Sequence, residues 1–352
     1  MSGLSLCWVL ALLWPLDAGS PPPCPRACLC QEAARAVNCS GANLTGPLFF
    51  SPDTERLDLS GAQLLEVPSS SLRGLWRLQV LLLGDNRIGG VGEGAFGGLE
   101  SLRRLELQRN GLSELGRGFS AGLGALRELS LASNGLRALG PGAFRHCEDL
   151  RGLGLQNNAI AAIAPGTFRG LTRLRQLRLQ NNRLRRLQDG LFSTLQRLEL
   201  LDLEGNRIES IAPGAFAALQ SLTLLNLAHN ALGRLRFRTF LSIRTPGTHV
   251  LLAHNPWACD CDLQRAFGKL RRVPWLVVDN YANVTCREPP VLRGLALGDS
   301  QLCAAETVTV LVVTFTVCVT VVAAIVMAER NRKRRTGRHW SDDSPAAWEA
   351  PE

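Results

Sequence analysis

The sequence contains almost no lysine and none of the short motifs that commonly mark a catalytic site. Of its 39 basic residues only Lys269 and Lys333 are lysines, so arginine carries the positive charge. The patterns G-x-S-x-G and H-E-x-x-H and a phosphate-binding loop are absent, and no nucleophile stands in a pattern with a histidine partner. The sequence therefore predicts a protein that is not an enzyme and needs no cofactor or metal.

The N-terminal apolar run is too short to span a membrane. Residues 4–14 are apolar, and the small residues Ala18, Gly19 and Ser20 follow them. This is the pattern of a signal peptide and its cleavage zone, although no basic residue precedes the apolar run. We expect residues 1–19 to be removed and the mature chain to meet an oxidising compartment, where cysteines pair.

A second apolar run, residues 308–327, carries no charged residue. At about 1.5 Å per residue it covers roughly 30 Å, the thickness of a hydrocarbon core. Basic residues cluster directly after it, from Arg330 to Arg335, whereas Glu306 precedes it. We therefore predict a transmembrane helix over 306–328, an extracellular N-terminus and a cytoplasmic tail over 329–352, as in a single-pass type I protein of the plasma membrane.

Between these segments one pattern recurs every 24 residues. Each unit contains L-x-L-x-x-N-x-L, and most units have a phenylalanine ten residues after the asparagine; Phe119 comes one residue early, which predicts a shifted loop. The repeated asparagines are Asn86, Asn110, Asn134, Asn158, Asn182, Asn206 and Asn230, with Asn255 one residue late. Each unit predicts one short strand and a return loop, and stacking the units buries the leucines. Nine strands about 4.8 Å apart predict a parallel sheet roughly 40 Å long.

This pattern resembles the extracellular leucine-rich-repeat family over residues 24–303. Clustered cysteines at both ends resemble that family's caps, so we divide the mature outer part into a cap (20–51), eight repeats (52–254) and a second cap (255–305). The resemblance implies an α/β-type leucine-rich-repeat solenoid with a curved parallel sheet and an irregular or 3-10 convex side, closed by disulfides at both ends. The disulfide pairings that it implies are Cys24–Cys30, Cys28–Cys39, Cys259–Cys286 and Cys261–Cys303. Spacing alone allows three connectivities in each cap.

Cys147 is left over outside the membrane. An odd thiol in a secreted chain can pair with another molecule. However, Cys147 occupies the position that Leu123 and Leu171 hold in neighbouring repeats. We therefore expect a buried, unreactive thiol in the core.

The residues that alternate with the strand leucines should face outward from the concave sheet. Those four and two places before each asparagine are small, amide or charged, with few aromatics. Such a face suits a protein or peptide partner better than a lipid, and the alternative is a solvated sheet. The candidate binding residues are Glu106, Gln108, Gln156, Arg178, Gln180, Asp202, Glu204 and Asn226.

Arginine occupies one position just before the strand in four successive repeats. The residues are Arg103, Arg127, Arg151 and Arg175. Stacked at strand spacing, they predict a basic edge that attracts a sulfated glycan or an acidic partner. The alternative is a solvated edge that happens to be rich in arginine.

Histidines and glycosylation sequons complete the candidate sites. His229 and His254 directly precede repeat asparagines, but no carboxylate or cysteine stands at ligand spacing from them, so we expect solvated histidines. Sequons occur at Asn38, Asn43 and Asn283. We expect glycans at Asn43 and Asn283, whereas the middle residue of the Asn38 sequon is a cysteine that the family resemblance places in a disulfide.

Two functions fit this organisation. The first is a cell-surface receptor, co-receptor or adhesion glycoprotein that binds an extracellular or membrane protein through its repeats. The second is an auxiliary regulatory subunit of an ion channel or another multi-pass membrane protein, which would use the threonine-containing apolar run and the basic residues after it.

Overall fold

The computed structural model describes residues 24–44, 48–298 and 304–338. The predicted signal peptide, Cys303 and residues 339–352 lie outside the described residues. The strands are β1 (Leu29–Gln31), β2 (Ala36–Asn38), β3 (Arg56–Asp58), β4 (Val80–Leu82), β5 (Arg104–Glu106), β6 (Glu128–Ser130), β7 (Ala138–Leu139), β8 (Gly152–Gly154), β9 (Ala162–Ile163), β10 (Gln176–Arg178), β11 (Arg186–Leu187), β12 (Leu200–Asp202), β13 (Ser210–Ile211), β14 (Leu224–Asn226), β15 (Thr248–Leu251), β16 (Trp257–Ala258), β17 (Leu276–Asp279) and β18 (Cys286–Glu288). The α-helices are α1 (Ser69–Leu72), α2 (Phe237–Leu241), α3 (Cys261–Leu270) and α4 (Ala304–Arg338).

One sheet of 12 strands forms the concave side, in the order β1-β2-β3-β4-β5-β6-β8-β10-β12-β14-β15-β17. Nine of these strands are those that the repeat predicts. The other three lie in the predicted caps, where β1 and β2 pair antiparallel and β17 adds parallel to β15. The repeat alone did not predict these three because the asparagine pattern does not extend over them. The sheet therefore crosses both predicted cap boundaries.

Each sheet strand in the repeats turns its middle residue inward. Leu105 lies opposite Leu129 of the next strand, and both are buried. Arg104 and Glu128 lie opposite each other in the strand register, with their side chains on the open side. This alternation follows from the two-residue period of a strand. The leucines of all repeats join in one continuous core.

A row of phenylalanines runs through the return loops opposite the sheet. The rings are fully buried, and successive centroids lie 6.1 Å apart for Phe96–Phe119 and 6.5 Å for Phe119–Phe144. Phe119 meets both neighbours edge-on, whereas Phe144 stacks on Phe168 at an interplanar angle of 8°. The one-residue shift before Phe119 therefore keeps the ring in the core but turns it.

The return loops consist mainly of turns. Two short parallel pairs, β7–β9 and β11–β13, lie among these loops and were not predicted. Within the described residues the 3-10 helices occur in the C-terminal cap, at Tyr281–Asn283 and Pro290–Leu292, rather than on the repeats. The convex side is thus irregular with short strands.

Disulfides and a buried tryptophan close the two ends. The described bonds are Cys24–Cys30, Cys28–Cys39 and Cys259–Cys286, the pairings implied by the family resemblance. Cys261 is also disulfide-bonded, and its predicted partner, Cys303, lies outside the described residues. Trp257 is fully buried, with its ring centroid 5.2 Å from that of Phe267 on α3. These contacts cover the leucines of the last repeat.

Helix α4 contains one segment, Val310–Lys333, that is long and apolar enough to cross a membrane. No part of its apolar window is buried against protein, and side chains such as Leu311 and Phe315 are exposed. An apolar helical segment of this length with exposed side chains is stable in lipid rather than in water. The chain therefore carries a candidate membrane anchor near its C-terminus.

Candidate binding surfaces

Three columns of side chains face outward from the concave sheet. Two of them are the columns expected from the sequence. The third is formed by the first residue of each strand, including Arg104, Glu128, Gln176, Leu200 and Leu224. Extending the same alternation by two residues toward the N-terminus would have found this column. The concave face is therefore wider and more apolar at one end than the sequence analysis indicated.

Some of the predicted concave residues form two separate polar groups. In the first, Gln108 Nε2 donates to Glu106 Oε2 at 2.9 Å, and Arg104 forms an ion pair with Glu106. In the second, Asn226 Nδ2 donates to Glu204 Oε2 at 2.9 Å. The strands that carry these groups are separated by β6, β8 and β10, so the two groups do not form one site.

An open depression of about 370 Å³ includes the first group, because Arg104, Glu106 and Gln108 line it together with Gln156 and Arg178. Gly152 and Gly154 form its floor, because they present no side chain there, and the side chains of Glu128 and Gln156 lie close above them. Arg104 and Glu128 stand on one side and Arg178 on the other. The depression can therefore receive a side chain from a partner between two carboxylates and two guanidinium groups.

Three amide oxygens near this depression lack hydrogen-bond partners. They are the buried Oε1 atoms of Gln108, Gln156 and Gln180, which share one position in three repeats. A buried acceptor without a partner costs roughly 1–3 kcal/mol. Gln108 and Gln156 line the depression, so two of these amides lie where a partner would bind.

Burial and neighbouring charges change the pKa values of two concave carboxyl groups in opposite directions. Burial raises the pKa of Asp202; the hydrogen bond from the Glu204 backbone N–H and the charge of Arg178 oppose this rise, whereas the charge of Glu204 adds to it. Burial would also raise the pKa of Glu106, but hydrogen bonds from Gln108 and Arg104 lower it overall. The two carboxyl groups therefore differ in their readiness to carry charge.

The C-terminal end of the concave face carries apolar side chains. Leu200, Leu224 and Leu251 are half-buried, and Val277 on β17 is 42% exposed. Buried apolar centres with polar rims are characteristic of protein interfaces. This end supplies the apolar contact area that the two polar groups lack.

The four predicted basic-edge residues stack in successive repeats. The backbone N–H of Arg127 donates to the Arg103 carbonyl, and Arg151 to Arg127, each at 2.8 Å. All four side chains are exposed, and Arg175 Nη1 lies 3.0 Å from Glu199 Oε1. One of the four charges is thus compensated by an acidic neighbour.

The histidines lie at the C-terminal end of the same face. His229 and His254 stack with centroids 4.3 Å apart, and His229 Nε2 lies 4.0 Å from Glu204 Oε1. His249 Nδ1 lies 2.9 Å from Asp279 Oδ2. The fold thus brings carboxylates to histidines that sequence spacing left without them. Among the described residues no group of three or more His, Cys, Asp or Glu could hold a metal ion.

All three sequon asparagines are exposed. Asn38 lies in β2 beside the disulfide-bonded Cys39, and its Oδ1 accepts the Ser40 N–H at 2.9 Å. Asn43 lies in the loop after β2, and Asn283 ends a 3-10 helix before β18. Loop positions offer an oligosaccharide-transferring enzyme easier access than a strand beside a disulfide.

Known proteins share this pattern of repeats. The family described as leucine rich repeat matches residues 52–112, 124–184 and 172–232. The chain is a leucine-rich-repeat protein. It is 39% identical over 92 residues to human chondroadherin-like protein, covering 26% of this chain and 12% of that protein. It is 36% identical over 93 residues to human leucine-rich repeat, immunoglobulin-like domain and transmembrane domain-containing protein 1, covering 24% of this chain and 15% of that one.

Solved structures share the fold over a longer stretch. Human 5T4 (trophoblast glycoprotein) superimposes with a TM-score of 0.60 at 29% identity, covering 80% of this chain and 98% of that structure. The Toll–Spätzle complex from Drosophila superimposes with a TM-score of 0.62 at 21% identity, covering 74% of this chain and 39% of that structure. The chain spans only a small part of the curated relatives that it matches.

Proposed function

We propose that this leucine-rich-repeat protein is a cell-surface glycoprotein that holds an extracellular protein partner on its concave face, as a receptor, co-receptor or adhesion molecule. The depression floored by Gly152 and Gly154 carries the proposal, because it offers space, charge and unpaired acceptors together. The half-buried leucines at the C-terminal end add apolar contact area.

The proposed location is the plasma membrane with the repeats outside. Support comes from the apolar segment Val310–Lys333 and from the basic residues at its C-terminal end, which favour the cytoplasmic side. Disulfides in both caps fit an oxidising compartment.

The second candidate, an auxiliary membrane subunit, receives less support from helix α4. The hydroxyls of Thr314, Thr316 and Thr320 donate to carbonyls of their own helix at 2.8–2.9 Å. Such back-bonding leaves these hydroxyls without a donor for a neighbouring helix. The threonine hydroxyls of the apolar run therefore donate their hydrogen bonds within α4 itself.

A filled depression tests the concave site. The full-length chain and its Gly154→Trp variant would be displayed on cells and cross-linked to neighbouring proteins, with Arg137→Trp on the exposed convex side as the matched control. Partners that cross-link to the wild type and to Arg137→Trp but not to Gly154→Trp support the proposal. Partners that are indifferent to Gly154→Trp contradict it.

An anchor exchange separates the two functions. Residues 306–352 would be replaced by an unrelated single-pass anchor, and partner recovery compared with the wild type. Partners retained by the exchanged chain support binding through the repeats, whereas complete loss supports the auxiliary-subunit function.

A further inference from the structure

Six arginines cluster on the edge that follows the strands, opposite the predicted basic edge. They belong to three successive repeats near the C-terminal end and all are exposed. This convex arginine cluster consists of Arg183, Arg185, Arg186, Arg207, Arg234 and Arg236. The six arginines do not share one position of the repeat, so the 24-residue pattern did not predict the cluster.

The fold brings the cluster together by stacking its repeats. The N–H of Arg207 donates to the Leu184 carbonyl at 3.0 Å, which sets Arg207 beside Arg183. Strands β11 and β13 pair Arg186 with Ser210, and Arg234 occupies the same position one repeat later. At about 4.8 Å per repeat, the six arginines span roughly 10 Å of the solenoid.

Acidic side chains do not neutralise this cluster. None of the ion pairs formed within the described residues uses its six arginines. The carboxylates on this edge in the same repeats are Glu209 and Asp189, and Asp189 Oδ1 already accepts the Gly214 N–H at 2.7 Å. On the predicted basic edge, by contrast, Arg175 pairs with Glu199.

A depression of about 250 Å³ opens beside the cluster. Arg234, Arg236 and Glu209 line it together with Thr239, which is only 1% exposed and whose Oγ1 has no hydrogen-bond partner. An oxyanion bound at this depression would accept hydrogen bonds from the guanidinium groups of Arg234 and Arg236. It would also give the Thr239 hydroxyl an acceptor. The depression therefore favours an anionic group despite Glu209.

We propose that the convex arginine cluster binds a sulfated glycan chain. Guanidinium groups pair with oxyanions through two parallel hydrogen bonds, and closely spaced ones suit a polymer with repeated anionic groups. An acidic protein is disfavoured, because no large hydrophobic residue among the described positions 183–236 is exposed to act as an anchor. This partner is additional to the protein of the concave face and rests on the proposed extracellular position of the repeats.

Heparin is the probe that tests the proposal. Full-length protein in detergent micelles would be titrated with heparin at increasing salt. The variant Arg183→Gln/Arg185→Gln/Arg186→Gln/Arg207→Gln would be compared with Arg103→Gln/Arg127→Gln/Arg151→Gln/Arg175→Gln, which removes the same number of charges from the other edge. We expect the first variant to bind about tenfold more weakly with a shallower salt dependence, and the second to change little.

Three results would overturn the proposal. Equal losses in the two variants would show that net charge alone attracts heparin, and a larger loss in the second would place the site on the predicted basic edge. Polyglutamate that competes as strongly as heparin would indicate an acidic protein partner. Should the fourfold variant fail to fold, Arg207→Gln/Arg234→Gln is compared with Arg103→Gln/Arg127→Gln, which again removes the same number of charges. Because heparin is tested on purified protein, failure here leaves the concave site untouched.

Discussion

The side-chain amide of Asn182 donates a 2.9 Å hydrogen bond to the backbone carbonyl of Leu155, one repeat earlier in the chain. The same nitrogen donates to Leu179 at 3.0 Å, and Oδ1 accepts the Ile160 N–H at 3.0 Å. One buried amide thus satisfies backbone groups of two neighbouring repeats that water cannot reach.

We expect Asn182→Ala to lower the free energy of unfolding by about 3 kcal/mol, because the Ile160 N–H and Leu155 carbonyl lose a partner while buried. Urea unfolding of the full-length protein in micelles measures this loss. The exposed Gln196→Ala in a neighbouring loop serves as the control. Equal stability of the two variants would show that the asparagine row is not a structural link.

The repeat in the sequence predicted the asparagine row, the buried leucines and the nine central strands, because each depends on spacing alone. It did not predict β1, β2 and β17, since the caps lack the repeat. Surface neighbours were also missed, because contacts such as His229 with Glu204 join side chains of different repeats whose orientations spacing does not fix. The spacing of residues in the sequence therefore predicts the buried core, whereas the binding surfaces follow only from the three-dimensional fold.

Cys147 should resist thiol reagents in the folded protein. It is fully buried, and burial raises the pKa of its thiol to about 12. In a Cys318→Ser background, alkylation at pH 8 should stay negligible until denaturant is added, because neither access nor thiolate is available. Rapid labelling of the folded protein, or a covalent dimer through Cys147, would contradict this assignment.

The two carboxyl groups Asp202 and Asp85 should respond to pH with opposite signs. Burial raises the pKa of Asp202, so the folded state holds its proton more tightly and ionisation costs stability above the ordinary value of 3.8. Asp202→Asn should therefore be more stable than the wild type at neutral pH, and the gain should vanish as the pH falls below that value.

Asp85 supplies the opposite case. The hydrogen bond from Arg109 lowers the pKa of Asp85, so its ionised form adds stability above the ordinary value and loses it as the pH falls through the lowered pKa. Asp85→Asn should be less stable than the wild type at neutral pH and match it in acid. Thermal unfolding of both variants from pH 3 to pH 7 checks the signs, and parallel curves would refute the electrostatic explanation.

Glycans should occupy two of the three sequons. Asn43→Gln and Asn283→Gln should each increase gel mobility of the protein from mammalian cells by one glycan, since both asparagines lie exposed outside strands. Asn38→Gln should leave mobility unchanged, because Asn38 lies in β2 beside a disulfide. A shift from Asn38→Gln, or none from the other two, would reverse this assignment.

The row of phenylalanines has a geometric consequence for any partner. Ring centroids step by 6.1–6.5 Å from Phe96 to Phe192 where neighbouring rings are in contact, whereas sheet strands step by about 4.8 Å. Two faces with unequal steps cannot stay parallel, so neighbouring repeats are rotated slightly relative to each other and the sheet becomes an arc. Replacing a core ring such as Phe168 with leucine would flatten that arc. Binding of a rounded ligand to the concave face would then weaken, although no surface residue is substituted.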